Sequence, residues 1–572
     1  MHCPGAPVRA ILPASYFWIR DMHSVEDFDV VVVGAGLGGI YAVHKFTQEG
    51  LKAVALEKAD SVGGVWNYNR YPGARVDVDS TDYCYSFSPE LYREWRWTER
   101  YAAQKELLEY LNYTVDKFDL RSRIRLKTGL AKADWRPDEQ RYHLETTTGD
   151  RLTARFLVMA MGNLSEPRDA TIPGISDFKG TVLRSSRWPK HPVWLRDKRV
   201  AVVGTGSTGV QTTTVVSQQA KHLSVFQRTA HWVVPAQNGP LDERRYQAYC
   251  ENTGLIMAGF KNSKLFGGDG AGSPIGAPKP AAQYEPAEQQ QRLERQWNIG
   301  GQRFHVVFAD QTTNKAANDV VSNFVRDKIR GIVKDPVLAE KLCPTFPIGT
   351  RRLIQADGYF ECFNQDNVSL VDSPIQHMTE TGIQTEDGHH EVDVIILALG
   401  FKAFTGGINL IDIRNEKGEH PTTHWTKGPR TLFGLMTAGF PNMFTLTGPG
   451  SPAVLANLFT QNEYHADWVA DCIRYMAERG YASIEPELEA QDRWTARVGE
   501  VAMRLLRLQG NDYMVQRNAD GTRTFIPWAG GVDAYAEALE GSTAKGYEGF
   551  RLRKASEPGR AGGTDAKAGV SA

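Results

Sequence analysis

Apolar residues recur along this chain in two patterns. Short unbroken runs close on a glycine, and longer stretches place apolar residues three and four positions apart. Val30 to Val33 is the first unbroken run, and it passes into Gly34-Ala35-Gly36-Leu37-Gly38-Gly39. Such a run predicts a strand buried on both faces, then a tight turn and a helix start. Lys52 to Leu56 is a second strand and ends in Glu57, 18 residues after Gly39. The same parts recur further on: Arg199 to Val203, then Gly204-Thr205-Gly206-Ser207-Thr208-Gly209, then Leu223 to Phe226. Two more buried strands end at glycines, Arg155 to Ala160 before Gly162 and Asp393 to Leu399 before Gly400. Helical spacing predicts helices over Gln104–Phe118, Glu288–Trp297, Asp319–Val333 and Asn457–Met476. Alternation at Ile124–Thr128 and Tyr142–Thr146, with a turn at Gly149-Asp150, predicts a small antiparallel sheet.

Strand, G-x-G-x-x-G, helix, strand is the pattern of a dinucleotide fold, in which backbone N–H groups at a helix N-terminus meet a pyrophosphate. Gly34, Gly36 and Gly39 form the first such turn and Gly204, Gly206 and Gly209 the second. The residue closing the second strand separates the two copies. Glu57 suits a free ribose hydroxyl and repels a phosphate, whereas Arg228 with Thr229 suits a 2′-phosphate. The first fold is therefore expected to hold FAD and the second NADP(H); the bland alternative for Arg228 is a solvated surface residue. The expected class is α/β, with two nested Rossmann-like domains, the FAD domain interrupted by the NADP domain, and a helical insertion.

The chain has 572 residues, too many for one core, and a net charge of -1. That balance gives no reason to expect nucleic acid or an anionic membrane as partner. Its six cysteines (Cys3, Cys84, Cys250, Cys343, Cys362, Cys472) show neither C-x-x-C nor metal-ligand spacing. No metal site is expected, and reduced thiols point to the cytoplasm. Ala10 to Ile19 is apolar but broken by Pro13, and Met22 is an alternative start. The expected division is an extension over 1–26, the first part of the FAD domain over 27–165, and the NADP domain over 166–394 with its insertion at about 240–345. The second part of the FAD domain follows over 395–552, and a disordered tail over 553–572.

The residues after Glu57 narrow the reading. Gly63-Gly64-Val65-Trp66, Tyr71-Pro72-Gly73 and Asp77 fit G-G-x-W-x(4)-[FY]-P-G-x(3)-D. This run resembles the Baeyer–Villiger monooxygenases, class B flavoprotein monooxygenases of the phenylacetone and cyclohexanone monooxygenase type. The resemblance continues through YCYSF, WTERYA, FQRT, the G-T-R-R-L turn and GPGSP, over most of residues 27 to 552. It implies that NADPH reduces FAD, that O2 forms a C4a-peroxyflavin, and that this attacks a ketone to give an ester or lactone. By the same resemblance Arg352 is the catalytic arginine and Asp77 the carboxylate that orients it. Gly64, Val65, Trp66, Asn67, Tyr68 and Tyr83 would contact FAD, with Leu130 and Leu458 near it, and Arg75 and Val76 would line the NADP side. Thr205, Gly206, Ser207, Thr208, Gly209, Val210, Gln211, Arg228, Thr229 and Arg351 would hold NADP(H). Arg351 stands where a lysine is usual. The partners implied are a small ketone and O2, with no protein partner evident.

The chain departs from the family at two places. The family's F-x-G-x-x-x-H-x-x-x-W-[PD] motif runs here from Phe178 to Pro189 with Arg184 in place of the histidine. The loop S-W-Y-x-G-A-N-[IV]-P-G-K, which lies over the nicotinamide, reads Asn511-Asp512-Tyr513-Met514-Val515-Gln516-Arg517-Asn518 and lacks the tryptophan. Two alternatives use the same flavin chemistry, heteroatom oxygenation and an uncoupled NADPH oxidase. A third is a non-catalytic flavin redox sensor.

Overall fold

The computed structural model of the protein describes residues 25–241, 243–251, 277–510, 512–518 and 520–554. The apolar N-terminal run, the Gly-rich centre of the insertion and residues 555–572 of the tail lie outside the described residues. Arg553 and Lys554, expected in a disordered tail, instead end the strand Phe550–Lys554, held by pairing with Tyr481–Pro486.

Two parallel sheets organise the chain. In the first, Glu26–Val33 pairs in parallel with Ala53–Leu56 on one side and Arg151–Met159 on the other. Met443–Thr445 returns beside Arg151–Met159, and Asp412–Arg414 pairs with Leu130–Arg136, so segments from beyond residue 400 complete a sheet begun at residue 26. Val30, Val31, Val32 and Ala55 are fully buried because helices cover the sheet on one side and the antiparallel strands fold across the other.

The second sheet runs Val368–Val371, His222–Phe226, Arg199–Val203, Val394–Leu397, Thr181–Arg184, all parallel. It is a Rossmann-like sheet inserted into the first one. Helices Pro286–Ile299, Lys315–Ile332 and Pro336–Leu342 form the insertion packed on it. The three-stranded ribbon Ile375–Met378, Gly382–Thr385, Gly388–Glu391 is a separate sheet whose Met378 and Ile383 pack with Ala201, Val203 and Ile395 of the second sheet.

Three expectations change. Ile124–Arg125 is not part of the antiparallel sheet: it pairs in parallel with Ala53–Leu56, and the chain turns at Lys127, which has φ 55°. The antiparallel partner of Arg141–Thr146 is Leu130–Arg136, whose apolar face is carried by Leu130, Ala133 and Trp135 alone. Val394–Leu397 lies inside the second sheet, so the crossing back to the first sheet falls after Leu397 and not at 394/395.

Candidate active site

Both glycine turns are built alike. Gly34 and Gly204 leave their strands with φ near +103° and +109°, a conformation L side chains rarely adopt. Helices Leu37–Gln48 and Ser207–Val216 then begin with Gly36 and Gly206 at the caps, and neither cap has a side-chain hydrogen bond. The first-turn N–H groups are left for a ligand. A Cβ added at Gly206 would meet nothing within 4 Å, so its helix end faces open space. Gly39 and Gly209 pack directly on the carbonyls of Gly34 and Gly204, which closes each helix on its strand.

Around the first turn, Glu57 is 5% exposed. Its Oε2 accepts from Ala35 N–H at 2.8 Å and its Oε1 from Ala59 N–H at 2.8 Å. The acid thus holds the nucleotide turn to the loop that follows its strand. Gly63 N–H donates to the Ala35 carbonyl, which lays Gly64 against Gly36 and starts the short helix Val65–Tyr68. Asn67 is buried, Trp66 packs edge-on to Tyr83, and Tyr83 packs edge-on to Phe459 at the start of helix Leu458–Arg479. That helix is capped by Asn457, whose side chain accepts from Phe459 N–H, and Leu458 is its half-buried first residue. Leu130 lies deeper, packed with Val33 and Leu56 in the layer beneath the turn.

Arg352 and Asp77 meet between the two folds. Arg352 Nε donates to Asp77 Oδ2 at 2.6 Å and Nη2 to Oδ1 at 2.8 Å, while Nη1 donates to the Val454 carbonyl at 3.1 Å. The side chains are 19% and 29% exposed. Gln355 Nε2 donates to the Asp77 carbonyl at 2.8 Å, and Gln302 Nε2 approaches Asp77 Oδ2 at 3.4 Å. Buried Asn318 hydrogen-bonds both the N–H and the C=O of Ile348, anchoring the turn that presents the arginine pair to helix Lys315–Ile332. Burial by itself would lower the Arg352 pKa, but the charge and hydrogen bonds of Asp77 outweigh it and hold the guanidinium above its ordinary value. A planar donor is thereby fixed by two partners, with its charge retained at depth.

The NADP side converges on two guanidiniums. Arg228 is exposed at the end of His222–Phe226, and the neighbouring Thr229 carbonyl accepts from Thr205 Oγ1 at 3.1 Å. The pKa of Arg351 is lowered first by burial and, beyond that, by the charge of Arg228. Arg351 also lies over the Phe346 ring and keeps a buried Nε without an acceptor among the described residues. Two like charges brought together in this way suit a phosphate. Gln211 ties the folds to each other: Tyr71 Oη donates to its Oε1 at 2.9 Å, its Nε2 donates to the Arg75 carbonyl at 3.3 Å, and Thr208 Oγ1 reaches Tyr71 Oη.

Two expected contacts change. Val210 is fully buried and its N–H bonds the Gly206 carbonyl, so it serves the core. Val76 is likewise a core residue, with its N–H on the Ala102 carbonyl. Arg75 stays beside the second fold through its carbonyl, while its Nη1 is held by Glu99 at 2.7 Å. Arg184 ends an edge strand opposite Leu397, exposed and close enough to Asp169 to lower its pKa along with Lys402. Sequence reasoning missed Gln302, Gln355 and the Val454 carbonyl, none of which carries a motif of its own.

The residues present fit two dinucleotides. Neither helix start at the glycine turns has a side-chain cap, and Trp66 Nε1 and Arg351 Nε are buried donors with no acceptor among the described residues. Two nested nucleotide folds with an immobilised arginine at their junction define a flavoprotein monooxygenase. Residues 28–240 match the family model described as flavin-binding monooxygenase-like. The chain is 38% identical to a Baeyer–Villiger monooxygenase of Pseudooceanicola batsensis, over 91% of this chain and 95% of that one. It is 39% identical to the phenazine N-monooxygenase PhzNO1 of Lysobacter antibioticus, over 92% and 97% respectively. The solved structure of OTEMO in complex with FAD and NADP superposes with a TM-score of 0.87 at 35% identity, covering 92% of this chain and all of that one. The chain belongs to the Baeyer–Villiger monooxygenase family.

Proposed function

We propose that Arg352, held by Asp77, is the catalytic group of an NADPH- and O2-dependent flavin monooxygenase that inserts one oxygen beside a ketone carbonyl, giving an ester or lactone. The observation that carries this is the bidentate pair at 2.6 and 2.8 Å, set between two nucleotide folds. Bound FAD, reduced by NADPH, supplies the oxygen-activating chemistry. The first turn with Glu57, Gly64, Val65, Trp66, Asn67, Tyr68 and Tyr83 would hold FAD. The second turn with Thr205, Ser207, Thr208, Arg228, Thr229 and Arg351 would hold NADP(H).

Arg352 acts on charge that develops during reaction. As the carbonyl carbon is attacked its oxygen becomes anionic, and a guanidinium already oriented by Asp77 and Val454 stabilises that charge without reorganising. Attack on a nitrogen or sulfur develops no such alkoxide, so the arrangement supports carbonyl over heteroatom oxygenation, although a relative of similar identity carries an N-oxygenating name.

We divide the chain into an FAD-binding unit over 27–165 and from beyond Leu397 to 552, with an NADP-binding unit between them. Cys250, Cys343, Cys362 and Cys472, which form no disulfide among the described residues, support a reducing compartment such as the cytoplasm, and no helix of the described residues is long and apolar enough to cross a membrane. The test is product analysis by mass spectrometry over linear, cyclic and polycyclic ketones with NADPH and air. Ester or lactone in step with NADPH consumed is the expected result. Peroxide alone from every ketone would overturn it.

A further inference from the structure

The loop that lacks the family's tryptophan enters the catalytic cleft by a route of its own. Helix Leu488–Ala502 is followed by a short 3-10 turn, Leu506–Gln509. Gly510 then packs on the backbone of Thr350, where an added Cβ would lie 2.8 Å from the Thr350 carbonyl oxygen. The loop therefore rests on the turn that presents Arg351 and Arg352. Asp512, at the position of the motif's tryptophan, turns its carboxylate towards the N–H groups of Tyr513 and Met514, and its carbonyl accepts from Val515 N–H at 3.0 Å. Its side chain is 3% exposed, and Arg507 Nε lies 3.9 Å from its Oδ2. A buried ion pair thus stands where the motif has an aromatic ring.

Tyr513 is what the turn presents. Met514 is fully buried with Val454, Phe404 and Phe525, and the Tyr513 ring packs against the same cluster. Val454 is also the residue whose carbonyl receives Arg352 Nη1, so Tyr513 and Arg352 border one short segment. The residue stays half-buried, and its hydroxyl has no hydrogen-bond partner among the described residues. The charges of Arg352 and Asp77 both reach that hydroxyl.

We propose that Tyr513 is a further catalytic residue, its hydroxyl donating a hydrogen bond to the substrate carbonyl oxygen beside Arg352, with Arg507 and Asp512 as positioning residues. The proposal rests on the ketone-oxidising reading above. Burial, offset in part by Arg352, pushes the Tyr513 pKa up to about 12, which keeps the hydroxyl a neutral donor at working pH. A phenol and a guanidinium on one oxygen divide the work: the arginine supplies charge, and the tyrosine fixes which face of the carbonyl is presented.

Tyr513→Phe tests this cleanly, because it keeps the packed ring and removes a hydroxyl that bonds no described residue. On a ketone that the wild-type holoenzyme converts, kcat is expected to fall about ten- to a hundredfold. The share of NADPH ending as hydrogen peroxide rises, while anaerobic flavin reduction by NADPH and the Kd for NADP+ stay within about twofold. Unchanged kcat and peroxide share would overturn the proposal. A fall in flavin reduction or NADP+ affinity that matches the fall in kcat would also overturn it, placing Tyr513 on the nicotinamide. If the wild type oxygenates no ketone, the underlying reading fails first and is seen to fail in the wild type alone. For the positioning pair, Asp512→Ala is expected to raise the peroxide share, and D512N to restore coupling, since its carboxamide keeps the side chain's shape and an oxygen turned towards the two N–H groups. No rescue by D512N would remove Asp512 from the proposal.

Discussion

Arg352→Lys separates charge from geometry at the centre of the site. Arginine meets three acceptors at once, both Asp77 oxygens and the Val454 carbonyl, at 2.6, 2.8 and 3.1 Å. A lysine ammonium is a single point on a flexible stem; it can face one carboxylate oxygen but cannot span the fork and Val454 together. The ion pair survives the change, so the stability loss is confined to about one or two charge-assisted hydrogen bonds, partly replaced, or about 1–2 kcal/mol. The catalytic loss is larger. A preorganised donor aimed at a developing oxyanion contributes about 2.7–4 kcal/mol, so kcat for ester formation should fall about 10²- to 10³-fold. The assay follows ester by mass spectrometry and NADPH by absorbance on one ketone, with anaerobic flavin reduction measured separately. Flavin reduction should stay within about threefold, because Arg352 touches neither glycine turn. A variant that keeps kcat within about threefold of wild type would refute the electrostatic argument. So would a fall in flavin reduction equal to the fall in kcat, which would place Arg352 on the reductive half of the cycle.

The remaining expectations concern selectivity, acid stability and coupling. Arg228→Ala removes one of two guanidiniums at the second fold and should raise the KM for NADPH about 10- to 100-fold while leaving that for NADH unchanged; equal effects on both would assign Arg228 to solvent. His465 accepts from Thr447 N–H on Nδ1, so Nε2 carries the proton towards Tyr535, and burial lowers its pKa to about 3 from 6.5. Because the folded pKa is depressed, the contribution is present above pH 6.5 and is lost as pH falls towards 3. Denaturant melts should show about 2 kcal/mol lost between pH 8 and pH 5 on this account, and His465→Gln should remove that share of the slope. Arg184→His places a group titrating near neutrality beside Asp169 and Lys402. It should introduce a new inflection near pH 6 to 7 in the peroxide-to-ester ratio; an unchanged profile would show that this position does not couple the two folds.

Most of the architecture was legible in the sequence because strands and nucleotide turns are local patterns. Val30–Val33 and Arg199–Val203 could only be buried strands, and Gly34 and Gly204 adopt a backbone conformation that glycine alone enters freely. Leu130–Arg136 escaped because LAKADWR shows too few apolar residues for an alternation to register, and its pairing with Arg141–Thr146 is what makes it a strand. Val394–Leu397 reads as a buried strand from its composition, but only its neighbours assign it to the second sheet. The family resemblance also left Val76 and Val210 as candidate cofactor contacts, whereas packing commits both to the core.

The chain by itself determined two dinucleotide folds, the difference between them at Glu57 and Arg228 on which the expectation of two different nucleotides rests, and the family through the run from Gly63 to Asp77. Each of these is written in residues close enough together to dictate a local backbone or a local charge. What only the tertiary structure decided is who meets whom. Asp77 and Arg352 lie 275 residues apart, and neither says which of the chain's many opposite charges it will find. Glu99 takes Arg75 and leaves Asp77 for Arg352, and Val454 brings Arg352 and Tyr513 to one cleft. Pairings of this kind follow from the packing of two sheets against each other, a nonlocal sum that no single stretch of sequence contains.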